Sequence, residues 1–483
     1  MASRSSRCAP PRGSCLAAVL AVAAAALAGA AAPFLPGAAA AEAGGPDWHA
    51  VSARSLRPST ACTPAEGASN SSALKVVHRH GPCSPLRSRG AAPPSPIEIL
   101  RRNRDRATSM LRKIAGAAAA TNAARASKGA HLPAHWATAT LGTNNYVVTV
   151  GLGTPARYFT VEFDTGSDLS WVQCEPCKDC YEQRDPLFDP AKSPTFSTVP
   201  CGARECRELP SQTCSPDNRC RFECAYADGS QTDGDLARDT LTLTPSDAIR
   251  GFVFGCGHRN SGFFGTEDGL LGLGRKSVSL SSQAAGRYGP GFSYCLPSLS
   301  SGTGYLALGV GGGAPANAQF TPMVPSRALP SLYFLRLTGI KVAGRAVKVP
   351  AASMLIDSGT QLTSLPDGTF AALWSAFARL MAGRYRRAPG LSFLDTCYNF
   401  TGHAALQVPS VALVFAGGAT VSLDVSGVLV KLGSDEPDVA CLAFTSTGDD
   451  APAGILGSQQ QKTFAVVYDV ANQRVGFGAK GCA

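Results

Sequence analysis

The sequence predicts an all-β body made of two duplicated lobes with a cleft between them, and three observations carry that expectation. From Tyr146 onward the chain is a succession of short β-rich runs ("NYVVTVGLG", "RYFTVEFD", "GFVFGCG", "YLALGV", "FAVVYDV", "RVGFG") separated by Gly, Pro, Ser and Asp, the texture of many short strands joined by turns. Helical periodicity is scarce there, the clearest stretch being "GTFAALWSAFARLMAGRY" from Gly368 to Tyr385. The third observation is an internal repeat. "VEFDTGS" at 161–167 returns as "MLIDSGT" at 354–360, and each copy is followed in its own half by an apolar-apolar-Gly partner, "GLLGLG" at 269–274 and "GILGSQ" at 454–459. An ordinary Asp-Gly turn explains either motif alone, but not the same order of motifs in both halves.

Ahead of this body the chain has a different character. Its 483 residues, 45% hydrophobic and 16% charged, suit a folded protein rather than a disordered one. Arg4, Arg7 and Arg12 precede a long uncharged Ala-rich run that ends in small residues near Glu42, the layout of a secretory signal peptide over 1–41. A membrane anchor and a plastid transit peptide are the alternatives. The expected location is therefore extracellular, in the apoplast, with plastid or vacuole as the other possibilities. The net charge of +10 is uneven: residues 1–142 hold 17 Lys and Arg against 5 Asp and Glu, and the remainder 27 against 29. Nucleic-acid binding is thus possible only through the basic N-terminal region.

Within that region Ser95, Pro96 and Glu98 form a capping box, and Ile97, Leu100, Ala107, Leu111 and Ile114 follow at helical spacing. The other faces carry Arg101, Arg102, Arg104, Arg106, Arg112 and Lys113. Such a face is ordinarily solvated, but beside an acidic cleft it can hold the cleft shut. The Ala-rich stretch running to Lys128 reads as a linker.

Thirteen of the seventeen cysteines lie between Cys174 and Cys482: Cys174, Cys177, Cys180, Cys201, Cys206, Cys214, Cys220, Cys224, Cys256, Cys295, Cys397, Cys441 and Cys482. The first eight crowd residues 174–224, a density suited to disulfides in an oxidising compartment. Reading Cys174, Cys177 and Cys180 as metal ligands is weaker, because no His lies nearby to complete a zinc site. "NSS" at Asn70 and "NFT" at Asn399 are glycosylation sequons.

The repeat implies a specific chemistry. Two Asp-hydroxyl-Gly loops brought tip to tip hold two carboxylates so close that they share one proton. One acts as base on a water held between them and the other as acid toward a carbonyl, with no covalent intermediate. Thr165 and Ser358 can bond across to the opposite loop, Ser167 and Thr360 can reach the carboxylates, and Gly166 and Gly359 permit close approach.

With both motifs and both Leu-Gly partners present, the chain from Tyr146 to Cys482 resembles the pepsin-like A1 aspartic endopeptidases, most of all their plant nepenthesin-like branch. The resemblance implies a bilobal pepsin-like double β-barrel, Asp164 and Asp357 as the catalytic pair, polypeptide substrates, no cofactor and no metal, and a monomer. It also implies a flap carrying Tyr226 in "AYADGS", turning at Asp228, Gly229 and Ser230, with Trp171 placed to hydrogen-bond the tyrosine. The branch is carried by the Cys-rich insertion, "FGCG" at 254–257, "FSYCL" at 292–296, "DTCYNF" at 395–400 and the closing "GFGAKGC". "VVHRHGPCSPL" resembles the prosegments of a subgroup with plastid and extracellular members. The expected divisions are a signal peptide to 41, an inhibitory basic propeptide over 42–141, an N-terminal lobe over 142–328 and a C-terminal lobe over 329–483. Cys224 is additional to the twelve cysteines of the nepenthesin pattern, which leaves one thiol free.

Other hydrolytic mechanisms lack their residues. From Tyr146 on there are only His258 and His403, neither in a nucleophile-elbow context, and no H-E-x-x-H. A non-catalytic pepsin-fold binder or inhibitor is the rival from another class; such relatives lose residues of the Asp pair, which are all present here.

Overall fold

The computed structural model describes residues 47–53, 61–63, 73–86, 96–126 and 146–482, apart from 227–229, 263, 299–301, 310–314, 391–392, 433–437 and 449–450. The expected signal peptide, Asn70, Ser95, Asp228 and Gly229 lie outside the described residues.

Three pieces of the N-terminal segment are built into the body. Trp48–Ser52 (β1) pairs antiparallel with Ala405–Pro409. Ala73–His78 (β2) enters the largest sheet, where Leu74, Val76 and Val77 are buried. Pro96–Ala126 (α1) is a single helix. The Ala-rich stretch expected to be a linker therefore continues the helix to Ala126, since Ala has the highest helix propensity and its repetition outweighs the single Gly116. One side of α1, with Ala107, Met110, Leu111 and Ile114, packs on Leu329, Leu332, Phe334, Leu355 and Ile455.

The body itself is all-β. Tyr146–Leu152 (β3) and Arg157–Asp164 (β4) form an antiparallel pair with continuous register from Val147 opposite Glu162 to Leu152 opposite Arg157. Their apolar side chains Val148, Val150, Phe159, Val161 and Phe163 enter the main core. The largest sheet has fifteen strands and runs from the C-terminal hairpin through Phe292–Cys295 and Thr303–Leu308 to β2, β3 and β4, and on to the flap strands. An eight-stranded sheet in the second half contains Phe334–Val342, Ala352–Ile356 and Gly454–Leu456. The one long helix of that half, Asp367–Met381, buries Leu373, Phe377 and Met381 at four-residue spacing against it.

The two halves repeat one construction. Gly269–Gly272 lies parallel to β4, with Gly272 opposite Asp164, and Gly454–Leu456 lies parallel to Ala352–Ile356, with Leu456 opposite Ile356. A side chain at the glycine of either partner motif would collide with backbone: a Cβ on Gly272 would lie 2.3 Å from Asp168 O, and one on Gly457 2.5 Å from Gln361 O. This close approach explains why the duplicated apolar pair ends in glycine.

Among the described residues there are seven disulfides. Cys201–Cys214, Cys206–Cys220 and Cys177–Cys180 lie within the insertion, whereas Cys174 reaches out of it to Cys256. Cys295–Cys482 ties the first half to the end of the second, Cys397–Cys441 lies within the second half, and Cys62–Cys83 closes a loop of the N-terminal segment. Cys224, counted among the candidates for pairing, is unpaired: every other described cysteine already has its partner. The run Cys174, Cys177 and Cys180 is thus held in disulfides. Asn399 ends the strand Cys397–Asn399 and is half-buried, its side-chain oxygen accepting the Thr401 N–H.

Thiol titration of the chain from Tyr146 onward, denatured without reductant, is expected to find one thiol, and Cys224→Ser to remove it. Two or more thiols in the wild-type protein contradict the pairing.

Candidate active site

Asp164 stands at the end of β4 and Asp357 immediately after Ile356, at equivalent ends of the duplicated strands. Each turn folds back on its own carboxylate: Gly166 N donates to Asp164 Oδ1 and Gly359 N to Asp357 Oδ1, both at 2.9 Å. The loops are also tied to each other. Thr165 N donates to Ser358 Oγ at 3.1 Å and Ser358 N to Thr165 Oγ1 at 3.0 Å. Each hydroxyl then donates across the junction, Thr165 to Ile356 O and Ser358 to Phe163 O, at 3.4 Å. A hydroxyl residue is required in each motif because it must accept one N–H and donate to one carbonyl. The space is equally tight, since a Cβ on Gly166 would lie 2.9 Å from Asp357 Oδ1.

The two carboxylates differ in their support. Thr360 Oγ1 donates to Asp357 Oδ2 at 2.6 Å. Ser167 occupies the corresponding place on the first loop, but its buried Oγ and Asp164 Oδ2 have no partner of ordinary hydrogen-bond geometry among the described residues. Burial pushes the Asp164 carboxyl up to about 6 against the pull of its neighbours, of which a nearby arginine is the strongest. Burial opposes ionisation of Asp357 as well, but the same arginine, the Thr360 hydroxyl and the Gly359 N–H outweigh it and hold Asp357 below the ordinary carboxylate value.

That arginine is Arg106, from the middle of α1. Its Nη2 donates to Asp164 Oδ1 at 2.9 Å and to Asp357 Oδ1 and Oδ2 at 3.2 and 3.1 Å, and its Nε to Thr360 Oγ1 at 3.3 Å. Arg106 and Asp357 are fully buried and Asp164 is 1% exposed. One turn earlier Asn103 bonds both ways with Gln361, accepting its N–H and donating to its side-chain oxygen at 3.0 Å. The helix thus lies along the cleft and meets the pair with the fully buried Arg106. A cavity of about 340 Å³ remains on the flap side of α1, lined by Ser167, Leu209, Phe222, Cys224, Tyr226 and Leu329 among others. Another of about 440 Å³ lies on the opposite side, beside Leu362, Phe370 and Phe393.

The segment expected to form a flap is the hairpin of Cys220–Ala225 and Gln231–Thr244. Tyr226 N donates to Ser230 O at 2.7 Å at its mouth, and Trp171 Nε1 donates to Tyr226 Oη at 2.7 Å. Phe264 packs edge-on against both rings. Sequence reasoning brought Asp164, Asp357, their hydroxyl partners, Tyr226 and Trp171 to one place. It did not single out Arg106 from the other cations of the helix, nor Asn103 and Gln361. The spacing carried no signal for Arg106 in particular, since Lys113 precedes Ile114 just as Arg106 precedes Ala107.

Two family models match the chain, described as xylanase inhibitor N-terminal, over residues 146–310, and xylanase inhibitor C-terminal, over residues 332–479. An aspartyl protease family protein of Arabidopsis thaliana is 42% identical over 451 residues, covering 90% of this chain and 94% of the relative. The aspartic proteinase nepenthesin-2 of Nepenthes gracilis is 37% identical over 360 residues, covering 71% and 78%. Among solved structures, basic 7S globulin from soybean superposes with a TM-score of 0.57 at 23% identity, covering 69% of this chain and 91% of that one. The aspartic proteinase from Irpex lacteus does so with 0.51 at 18% identity, covering 70% and 95%. At these identities the superpositions establish the fold alone.

Removing one cross-loop bond leaves a buried N–H without a partner. Ser358→Ala is therefore expected to lower the unfolding free energy by about 1–3 kcal/mol, read as a shift of the denaturant midpoint at unchanged slope. A midpoint equal to that of the wild type would mean that the cross-bonds contribute nothing to holding the loops together.

Proposed function

Since the chain belongs to the pepsin-like family of aspartic endopeptidases, we propose that it is a secreted acid protease in which Asp164 and Asp357 activate one water, made as a precursor that α1 keeps inactive. The observation that carries this reading is a shared atom: Arg106 Nη2 lies within hydrogen-bond distance of both carboxylates. A point that both acids reach is the place for a nucleophilic water, and a guanidinium there excludes it.

The chemistry follows from the pair holding one proton once Arg106 has left. The ionised carboxylate takes a proton from the water as the water attacks the peptide carbonyl, and the protonated one donates to the carbonyl oxygen. The roles reverse as the tetrahedral species collapses to amine and acid. Tyr226, anchored by Trp171, is placed to close over a bound peptide, exclude water and orient the scissile bond. In this reading residues 42–141 are the propeptide, 142–328 and 329–483 the two lobes, and the substrates are polypeptides. Seven disulfides support folding in an oxidising compartment, in keeping with a signal peptide over 1–41 and an apoplastic location.

Acid releases the helix, and the titrations give the direction. A carboxylate whose value a partner lowers stabilises that partner fully above its unpaired value and loses the stabilisation as pH falls through the lowered value. Asp357 is of this kind, so it lets go of Arg106 only in acid. Asp164, raised to about 6, takes up its proton earlier, and its own burial is eased as it does so, but Arg106 then loses one of its two charged partners. Docking therefore weakens in two stages as pH falls. Because the contact is buried, salt has little access to screen it.

The inhibitor reading draws on the description of the family models. The complete pair, its crossed hydroxyls and the placed flap tyrosine favour the enzyme. The nucleic-acid reading needs free basic side chains on the N-terminal segment, and two of its arginines, Arg79 and Arg106, are buried against carboxylates instead.

Asp164→Asn and Asp357→Asn are each expected to reduce peptide hydrolysis by about 10³-fold or more with the fold retained, and the wild-type rate to be bell-shaped in pH with two values belonging to the pair. Wild-type turnover in either variant sinks the mechanism. Arg106→Gln is expected to make the uncut precursor about tenfold or more active near neutral pH, since the charge-assisted bonds to both acids are gone. The rate of a fluorogenic peptide, with precursor mass followed in parallel, measures it; an inert, full-length variant across the pH range would remove Arg106 from the inhibition.

A further inference from the structure

The two Asp loops rest on buried polar side chains that take no part in the proton transfers. Tyr294, Tyr468 and Gln461 are fully buried, and Tyr333 is 1% exposed. A buried hydroxyl or amide costs stability unless it is hydrogen-bonded, and here the bonds end on main chain next to the acids. Gln461 closes the single helical turn Ser458–Gln461 that follows Gly457. Its Nε2 donates to Leu456 O at 2.8 Å and to Asp357 O at 3.2 Å. Asp357 N donates to the same Leu456 O at 3.1 Å. One amide therefore fastens the main chain of Asp357 to the strand that flanks it. The other end of that amide is held as well, since the Tyr294 hydroxyl donates to Gln461 Oε1 and lies 3.2 Å from the Tyr468 hydroxyl.

Tyr294 comes from the other half of the molecule, on Phe292–Cys295. Its ring packs on Phe163, the residue before Asp164, with centroids 5.6 Å apart. It thus meets the strand that delivers Asp164 with its ring and, through Gln461, the main chain of Asp357 with its hydroxyl. A matching tie runs the opposite way. Tyr333, from the second half, donates its hydroxyl to Leu273 O at 2.9 Å, and Leu273 N donates to Asp164 O at 2.8 Å. Tyr333 lies edge-on against Tyr468, with centroids 4.6 Å apart, so the two ties meet in one packed group. An apolar side chain at position 461 could fill the space, but it could neither hold Asp357 O nor receive the Tyr294 hydroxyl.

We propose that Gln461 and Tyr294 are positioning residues for peptide hydrolysis, fixing through Asp357 O and Phe163 the separation at which Asp164 and Asp357 share one proton. The proposal rests on the protease reading above. Two carboxyl groups share a proton only while they stay close, and their interaction is what sets the first ionisation apart from the second. Freeing Asp357 O lets the second loop relax, so that interaction weakens and the two values of the pair approach each other. The titratable groups facing the pair are Arg106 and Lys113 from α1, Glu162 on β4, Tyr226, Tyr294 and Tyr468. Substituting Gln461 alters none of them, so a changed profile reports on the pair itself.

The test uses Gln461→Leu, which nearly keeps the volume and removes the amide, and Tyr294→Phe, which keeps the ring on Phe163 and removes the hydroxyl. Processed enzyme is assayed on a fluorogenic peptide across pH. Gln461→Leu is expected to lower kcat about tenfold or more with KM changed far less, and to bring the two limbs of the bell-shaped profile closer together. Tyr294→Phe should do the same to a smaller extent, about threefold in kcat. The double variant leaves no orphaned partner in the Tyr294–Gln461 bond, so it should regain most of the thermal midpoint lost in Gln461→Leu while its kcat and limb spacing stay those of Gln461→Leu. It also carries the test should Gln461→Leu alone fail to fold. Wild-type kcat and limb spacing in folded Gln461→Leu, or their return in the double variant, overturn the proposal. The spacing of the two ionisations is read without turnover from the carboxyl ¹³C shifts of protein freed of α1 by acid or trypsin. Equal spacing in wild type and Gln461→Leu again overturns it. Narrower spacing in the variant, with no peptide hydrolysis by the wild type, upholds the positioning and counts against the protease reading alone.

Discussion

Two carboxyl groups buried at one point are the constraint to which the rest of this protein responds. At the separation set by one shared Arg106 nitrogen, two full negative charges in a water-poor site repel strongly, and burial alone already disfavours ionising either. The backbone N–H groups of Gly166 and Gly359, the Thr360 hydroxyl and the crossed Thr165 and Ser358 bonds supply fixed dipoles that make the arrangement tolerable without cancelling the repulsion. What remains is settled either by a proton or by a cation. In the proposed enzyme that choice separates a working site from a blocked one.

The duplication makes the geometry possible. Each lobe presents its aspartate at the end of a strand flanked in parallel by an apolar-apolar-Gly segment, so each carboxylate is delivered by a rigid element rather than a free loop. The close passage of backbone at Gly272 and Gly457 lets the chains cross beneath the acids. Symmetry is broken only in detail. Burial dominates at Asp164, whereas Arg106, the Thr360 hydroxyl and the Gly359 N–H prevail at Asp357, which favours the proton on Asp164 and the charge on Asp357 while Arg106 is present.

The N-terminal segment places two arginines against two pairs of buried acids, Arg106 against Asp164 and Asp357 and Arg79 against Glu162 and Glu267. Breaking a buried ion pair by removing one partner ordinarily costs about 3–5 kcal/mol, because the remaining charge is stranded. At Asp164 and Asp357 a shared proton can take the place of the guanidinium and offset that cost. Segment and body thus meet at two buried cation–carboxylate contacts, one in the cleft and one beside the largest sheet.

The paired Asp loops were legible in the sequence because they are local and repeated: Asp164-Thr165-Gly166-Ser167 and Asp357-Ser358-Gly359-Thr360 each carry their turn, acid and hydroxyls within four residues. The β texture and the basic helix were legible for the same reason, since alternation, capping and spacing are properties of neighbours along the chain. Tertiary structure decided which cation of that helix meets the acids, that the Ala-rich stretch continues it, that Cys224 stays unpaired and Cys174 leaves its cluster for Cys256, and that Arg79 lies between Glu162 and Glu267. Each depends on which distant segments approach, and a partner 83 or 188 residues away leaves no periodicity to read. Local pattern determines what each segment can offer, whereas packing in three dimensions determines what it meets.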